Sequence, residues 1–254
     1  SGTVQVTAQY GEVVSEMSTL TLQLNVLYVD DSFTTGIGTG EKISPFITIT
    51  EAITQAKVIG ATEIRVATGV YTESLVIDEN ISLSGGYTAA YDGTEWTRTS
   101  INPDLTTIQA PLNVDKAILY TNGVGKSTLL EGFTVIGGND STLVNSSAIN
   151  CIASSPTIQN NKIYGGNSDI ISYGINLQSS SSVIQNNTIS GGLADGTGGG
   201  SDNHAILCQS SSNPIIQNNT IIGVDGGENS YRIKLEGSSH AKITGNFISF
   251  GTNK

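Results

Sequence analysis

The sequence predicts an all-β fold, a right-handed parallel β-helix (a solenoid) with a short capping helix near its N-terminal end. Three observations lead to this prediction: a repeated pentapeptide, a spacing of two between the apolar residues inside each repeat, and abundant Gly, Ser, Thr and Asn. Only 13% of the residues are charged and 6% are aromatic. That composition is typical of a solenoid with many corners and disfavours a helical protein.

The pentapeptide marks the repeating unit. It occurs three times in near-identical form, with a degenerate fourth copy, at residues 157–161, 183–187, 215–219 and 242–246. Equivalent isoleucines in these copies are 26 to 32 residues apart. Units of this size bury their apolar face only by stacking on their neighbours, so the repeats predict successive rungs of one array.

The apolar residues within each unit predict which side chains stack between successive rungs. Equivalent strands of a parallel β-helix lie about 4.8 Å apart, so equivalent isoleucines form internal ladders. We expect three such ladders: Ile149, Ile175, Ile206 and Ile233; Ile158, Ile184, Ile216 and Ile243; and Ile163, Ile189, Ile221 and Ile248. Ile158 and Ile163 are five residues apart, so both point inward only if the chain bends between them. The Asn-Asn pair lies at this bend, and Asn tolerates the left-handed conformation that Ile does not. The second asparagines are expected to stack and to bond from rung to rung, namely Asn161, Asn187, Asn219 and Asn246.

The two cysteines provide a test of this register. Cys151 and Cys208 occupy the same place in rungs two apart, with Leu177 between them. Two rungs separate the backbones by about 9.6 Å, whereas a disulfide needs about 4.4–6.8 Å between Cα atoms. We therefore expect two reduced, buried thiols.

Two domains are expected. Residues 1–27 show two alternating segments that predict a β-hairpin, either a cap on the first rung or the tail of a preceding β-sandwich module. Residues 28–254 form the β-helix domain. Within it, Thr48 and Glu51 predict a capping box, and Ile49, Ala52, Ile53 and Ala56 give the apolar stripe of a helix that closes the solenoid.

The N-terminal half of the β-helix domain resembles a known group of proteins. The matching segments are residues 28–30, 45–49, 51–53, 64–67, 69–73 and 83–87, together with the Asn-Asn rungs. They resemble secreted or surface-anchored bacterial right-handed β-helix proteins of the pectate-lyase-like superfamily, and in particular a large group of unassigned function. The resemblance implies a bacterial protein that is secreted or displayed on the cell surface, with a signal peptide or lipid anchor removed. It implies no chemistry, because this fold carries enzymes, adhesins and stalks alike.

The first functional hypothesis is a non-catalytic binding or structural module, adhesin-like, with a carbohydrate or other cell-surface component as its partner. The aromatic loop supplies the candidate ligand-binding residues, because aromatic faces suit the apolar faces of sugars: Tyr87, Tyr91, Trp96 and Arg98. The alternative is that these side chains hold the loop against the solenoid wall. The net charge of −11 argues against nucleic acid as a partner, and we expect a monomer without a transmembrane segment.

The second hypothesis is an enzyme, a polysaccharide lyase or a glycoside hydrolase acting on an acidic polysaccharide. The Arg-Ile-Lys at 232–234 is similar to an element of the pectin-type hydrolases of this fold, so His204, Arg232 and Lys234 are the alternative catalytic residues. Paired carboxylates are missing from the expected strand positions, because Asp195, Asp202, Asp225 and Glu228 fall in glycine-rich insertions.

A metal site is a further chemical hypothesis. No cofactor is expected, although calcium is possible if Asp30, Asp31 and Glu41 supply oxygen ligands. Two adjacent carboxylates are also typical of a simple turn.

Overall fold

The computed structural model of the chain is a right-handed parallel β-helix, as the sequence predicts. The structure describes residues 25–34, 36–194, 201–224 and 229–250, and the backbone of four strands before them. These strands pair antiparallel, β1 with β4 and β2 with β3. Their bounds are β1 (Gly2–Val6), β2 (Gln9–Tyr10), β3 (Val13–Val14) and β4 (Ser18–Leu22). The predicted alternation of side chains in residues 1–24 lies outside the described residues, and the role of this segment as a cap stays a prediction.

Three parallel sheets form the walls of the solenoid in the described part of the chain. Sheet A has eight strands: β5 (Val26–Val29), β6 (Glu63–Ala67), β9 (Ser82–Tyr87), β12 (Leu129–Glu131), β15 (Thr157–Gln159), β19 (Val183–Gln185), β23 (Ile215–Gln217) and β26 (Lys242–Thr244). Sheet B has seven: β7 (Gly69–Thr72), β10 (Thr106–Gln109), β13 (Thr134–Ile136), β16 (Lys162–Tyr164), β20 (Thr188–Ser190), β24 (Thr220–Ile222) and β27 (Phe247–Ser249).

Sheet C completes each rung and has the longest strands. Its six members among the described residues are β8 (Leu75–Ile77), β11 (Lys116–Tyr120), β14 (Asn145–Ile152), β18 (Ile171–Gln178), β22 (Asp202–Gln209) and β25 (Asn229–Leu235). Two short strands in the loops that lead from sheet B to sheet C also pair in parallel, β17 (Asn167–Ser168) and β21 (Leu193–Ala194).

The strand register confirms all three predicted isoleucine ladders. Ile149, Ile175, Ile206 and Ile233 are successive partners in sheet C. The other two ladders run in the same way through sheets A and B. Their members before the last rung are fully buried, and each such side chain contributes roughly 1.5–3 kcal/mol to folding.

The asparagine ladder is also confirmed. Asn160, Asn186 and Asn218 each have a φ of 56°, the left-handed conformation that turns the chain from sheet A to sheet B. The following asparagines bond from rung to rung: the backbone N–H of Asn161 donates to Oδ1 of Asn187 at 2.9 Å, and its side-chain Nδ2 donates to the same atom at 3.2 Å. The same pair of bonds links each later rung through to Asn246.

The predicted helix, α1 (Ile49–Ile59), packs on β5, β6 and β8. Thr48 and Glu51 form the expected capping box, and the predicted apolar stripe is buried. The carboxylate of Glu73 adds a contact that the sequence pattern did not predict, because it accepts the backbone N–H groups of Ile49 and Thr50, each at 2.9 Å. A negative charge at a helix N-terminus is favourable.

Both cysteines are free and buried, as predicted. Leu177 separates them, since it pairs with Cys151 on one side and Cys208 on the other. Burial raises the pKa of each thiol to about 12, so they behave as small apolar side chains.

Candidate functional site

The aromatic loop after β9 packs against the solenoid through Trp96. This side chain is only 3% exposed, and its ring meets Tyr28 edge-on with 5.0 Å between centroids. Its Nε1–H donates to the backbone carbonyls of Ala90 and Lys42 at 3.1 and 3.2 Å. Trp96 therefore holds the loop in place, which is the structural alternative considered for it.

The four predicted ligand-binding residues do not share one aromatic face. Tyr91 is 45% exposed, but its ring packs beside Phe33 and its hydroxyl donates to Asp30. Tyr87 lies 5.5 Å from the guanidinium of Arg65 and 4.9 Å from that of Arg98, measured to its ring centroid. Tyr87 thus lies with Trp96 in one buried cluster and beside Arg98, and a sugar-stacking role for these residues stays a prediction.

Tyr87 and Arg98 line a groove of about 580 Å³ on the outer face of sheet A. The remaining lining residues are mostly polar: Thr62, Glu63, Asn80, Ser82, Ser84, Ser127, Leu129 and Glu131. Arg98 Nη2 donates to Glu131 Oε1 at 2.5 Å and Nη1 donates to the Gly85 carbonyl at 3.2 Å. Arg65 is held similarly, with 2.7 Å from Nε to Glu63 Oε1. The groove thus presents fixed donors and acceptors side by side.

Glu131 begins a column of polar side chains that the functional reading of the sequence missed. Its partners on the next rungs are Gln159, Gln185 and Gln217. Each amide Nε2 donates to the side-chain oxygen of the preceding rung, at 3.0 Å to Glu131 and then at 2.6 and 2.7 Å. The third position of the repeated pentapeptide was the available signal, because it alternates with the buried isoleucine and so faces outward.

The predicted alternative metal ligands are spread over a turn. Asp30 Oδ1 accepts the backbone N–H of Ser32 at 2.9 Å, and Asp31 Oδ2 accepts that of Val70 at 3.3 Å. Burial raises the pKa of Asp31. Among the described residues no group of three or more His, Cys, Asp or Glu side chains is placed to hold a metal ion, and Glu41 does not form one with these two. Calcium binding stays a prediction.

The alternative catalytic residues His204 and Lys234 lie together on the outer face of sheet C. Asp202 Oδ2 is 3.7 Å from His204 Nε2 and 4.0 Å from Lys234 Nζ, which is also 3.5 Å from Glu236 Oε2. Asp202, expected in a glycine-rich insertion, is instead the first residue of β22. Asp195, Asp225 and Glu228 lie outside the described residues.

His204 is stacked between two tyrosines from the neighbouring rungs. Its ring centroid is 5.3 Å from that of Tyr173 and 5.0 Å from that of Tyr231, and only 1% of His204 is exposed. Burial, and after it the charge of Lys234, lowers the pKa of His204 to about 4. The imidazole is therefore neutral at physiological pH.

Arg232 does not join this cluster. Its Nη1 donates to the Ser230 carbonyl at 2.9 Å, and its guanidinium lies 4.5 Å from the ring centroid of Phe250. The match at 232–234 thus places its lysine, and not its arginine, beside His204.

Comparisons with known proteins give one family and two similar solved structures. Residues 34–203 match the family model described as "Protein of unknown function (DUF1565)". Two solved structures are similar: a pectin methylesterase from carrot, with 16% identity and a TM-score of 0.41, and the Aspergillus niger pectin methylesterase, with 14% identity and a TM-score of 0.37. The alignments cover 81% and 86% of this chain, and 65% and 87% of the respective enzymes. The chain thus spans about two thirds of the carrot enzyme.

No curated protein matches the sequence significantly. In the described part of the chain, no helix is long and apolar enough to span a membrane. The expected family of unassigned function is confirmed by the match over residues 34–203.

Proposed function

The chain belongs to the DUF1565 family of proteins of unknown function, and from that premise we propose that it is a non-catalytic carbohydrate-binding module. The binding site is the groove on sheet A that contains Tyr87, Arg98 and Glu131. The observation that carries this proposal is the fixed pair of Arg98 and Glu131 in the groove wall, whose side chains remain 16% and 8% exposed.

This pair has the chemistry that sugar hydroxyls need. A hydroxyl group donates one hydrogen bond and accepts others, so adjacent guanidinium and carboxylate groups satisfy both functions at once. Arg98 packs on the ring of Tyr87, which also contacts Arg65, and donates a hydrogen bond to the Gly85 carbonyl. These contacts fix the pair before a ligand binds. Such pre-organisation lowers the entropic cost of binding.

The carboxylates of the groove wall are held as hydrogen-bond acceptors. Glu63 bonds to Arg65 at 2.7 Å and Glu131 bonds to Arg98 at 2.5 Å. Fixed acceptors of this kind are what the recognition of sugar hydroxyls requires.

We propose further that the protein works outside a bacterial cell, either secreted or on the cell surface, because the sequence resembles proteins placed there. Surface biotinylation of the source cells, with a cytoplasmic protein as control, tests this. Labelled chain or chain in the medium is the expected result.

The binding proposal is tested by a glycan array followed by titration calorimetry with the bound glycans. Arg98→Lys keeps the charge but loses the two-point contact with Glu131 and Gly85, so we expect about tenfold weaker binding. Arg232→Lys, at the other end of the molecule, is the matched control and leaves affinity unchanged. The proposal is contradicted if the protein binds no glycan, or if the Arg98→Lys variant binds with unchanged affinity.

A second candidate function, a glycoside hydrolase on acidic polysaccharide, is favoured by one observation. Asp202 Oδ2 lies 4.0 Å and Glu236 Oε2 lies 3.5 Å from Lys234 Nζ. The two oxygens are therefore at most about 7.5 Å apart, which is compatible with the separation of paired catalytic carboxylates. Release of reducing ends from polygalacturonate, with and without calcium, tests this candidate. Hydrolysis that Asp202→Asn and Glu236→Gln each abolish would establish it.

A further inference from the structure

The groove on sheet A continues along the solenoid as a strip of two outward columns. One column is polar and consists of Glu131, Gln159, Gln185 and Gln217. The other, two residues earlier in each strand, is mainly apolar and half-buried, with Leu129, Thr157, Val183 and Ile215. We call these eight residues the amphipathic strip. Leu129 and Glu131 also line the groove, so the strip and the groove are continuous.

The polar column is held in one orientation by its own hydrogen bonds. Donation runs from Gln217 to Gln185, from Gln185 to Gln159, and from Gln159 to Glu131. Arg98 donates to the other oxygen of Glu131 and so closes the chain at the groove. An amide nitrogen has two N–H groups. Within the described part of the chain these bonds use one from each glutamine and leave the second for a ligand.

The strip has a fixed repeat. Neighbouring strands of a sheet lie about 4.7–4.9 Å apart, so amide donors recur at that spacing along the solenoid axis, each beside an apolar or Thr side chain. A ligand that matches this pattern has a polar edge and an apolar face in every unit and repeats in one direction. An extended polysaccharide has these properties, because pyranose rings carry hydroxyls at the edge and C–H groups on the face.

We propose that the amphipathic strip binds a single extended chain of a neutral polysaccharide, which runs along the solenoid axis and has its first units in the groove. This inference rests on the proposed function. The neutral class follows from charge: the glutamines are uncharged, Glu131 stands at the head of the strip, and the chain has a net charge of −11. The carboxylate of Glu131 and the net negative charge disfavour a polyanion, and the glutamines supply no cation to offset them.

The experiment measures affinity against ligand length. The probes are β-1,4-linked gluco-, xylo- and manno-oligosaccharides from disaccharide to hexasaccharide, with oligogalacturonides of the same lengths as the acidic series. For at least one neutral series we expect the dissociation constant to fall by about tenfold or more from disaccharide to hexasaccharide. The acidic series binds more weakly at each length.

The double variant Gln185→Ala, Gln217→Ala separates the strip from the groove. We expect it to remove the gain with length while the disaccharide affinity stays unchanged. Gln178→Ala, at an exposed position of sheet C, is the matched control and alters neither. Circular dichroism and thermal unfolding confirm that each variant is folded.

Each of the other outcomes contradicts one part of the proposal. An affinity that depends on Arg98 but not on length overturns the extended chain and leaves the binding function standing. Tighter binding of the acidic series overturns the neutral class. Length dependence that survives in the double variant overturns the strip as its cause. If none of the series binds, the inference fails, and the glycan array decides separately whether the proposed function fails with it.

Discussion

Two members of the sheet A ladder show how the burial of a rung's apolar side chains depends on the neighbouring rungs. Leu27 begins the sheet A ladder beside α1 and is fully buried, whereas Ile243, in the last described rung, is 41% exposed. Both side chains occupy the inward position of their strand. Burial in this fold therefore depends on the rung stacked above, because no single rung encloses its own apolar residues.

The largest expected difference between the two regions comes from a matched pair of truncations. Ile189→Ala removes a fully buried side chain from the sheet B ladder, and we expect a loss of about 2–5 kcal/mol in the free energy of unfolding. Ile248 occupies the same ladder but is 49% exposed, so Ile248→Ala should cost less than half as much. Urea denaturation measures both, and equal losses would contradict the comparison.

A smaller contrast is expected in the asparagine ladder. Asn187→Ala removes the acceptor of two bonds from Asn161 and leaves its buried backbone N–H without a partner. We expect a loss of about 2–3 kcal/mol. Asn246→Ala does the same to Asn219, but Asn246 is half-buried in the last described rung, so water can replace the lost acceptor. We expect about 1 kcal/mol there, measured by the same denaturation, and a larger loss at Asn246 would reverse the argument.

The smallest effect is expected at the covered end. Glu73→Ala removes the carboxylate that accepts two N–H groups at the start of α1, and we expect a loss of about 1 kcal/mol. Hydrogen exchange of the Ile49 and Thr50 amides should accelerate, because both lose their acceptor. Glu79→Ala, at an exposed position nearby, is the control. Unchanged exchange at both amides would show that Glu73 does not hold the helix.

Self-similarity explains why the fold could be predicted from the sequence. In the regular rungs the three predicted ladders join isoleucines of successive repeats, as with Ile158 and Ile184, so aligning the sequence with itself gives the register. The helix was equally accessible, since Thr48 and Glu51 form their capping box within four residues of chain.

The candidate site was harder to predict because its contacts join residues that no repeat relates. Trp96 packs against Tyr28, and Arg98 bonds to Glu131. In each pair the two residues are far apart in the sequence, and no local motif links them. The strands of sheet C also extend over polar residues, and Asp202 therefore belongs to β22 although it follows a glycine-rich segment.

The asparagine and glutamine columns bear on how such a chain changes length during evolution. Asn161 and Asn187 are 26 residues apart and make the same bonds to their neighbours. Duplication of that 26-residue segment would create junctions of a kind the molecule already has. Deletion of one residue inside a strand would turn every following side chain in that strand to the opposite face. Genes of this type are therefore expected to grow and shrink by whole repeats, with single-residue changes confined to the corners.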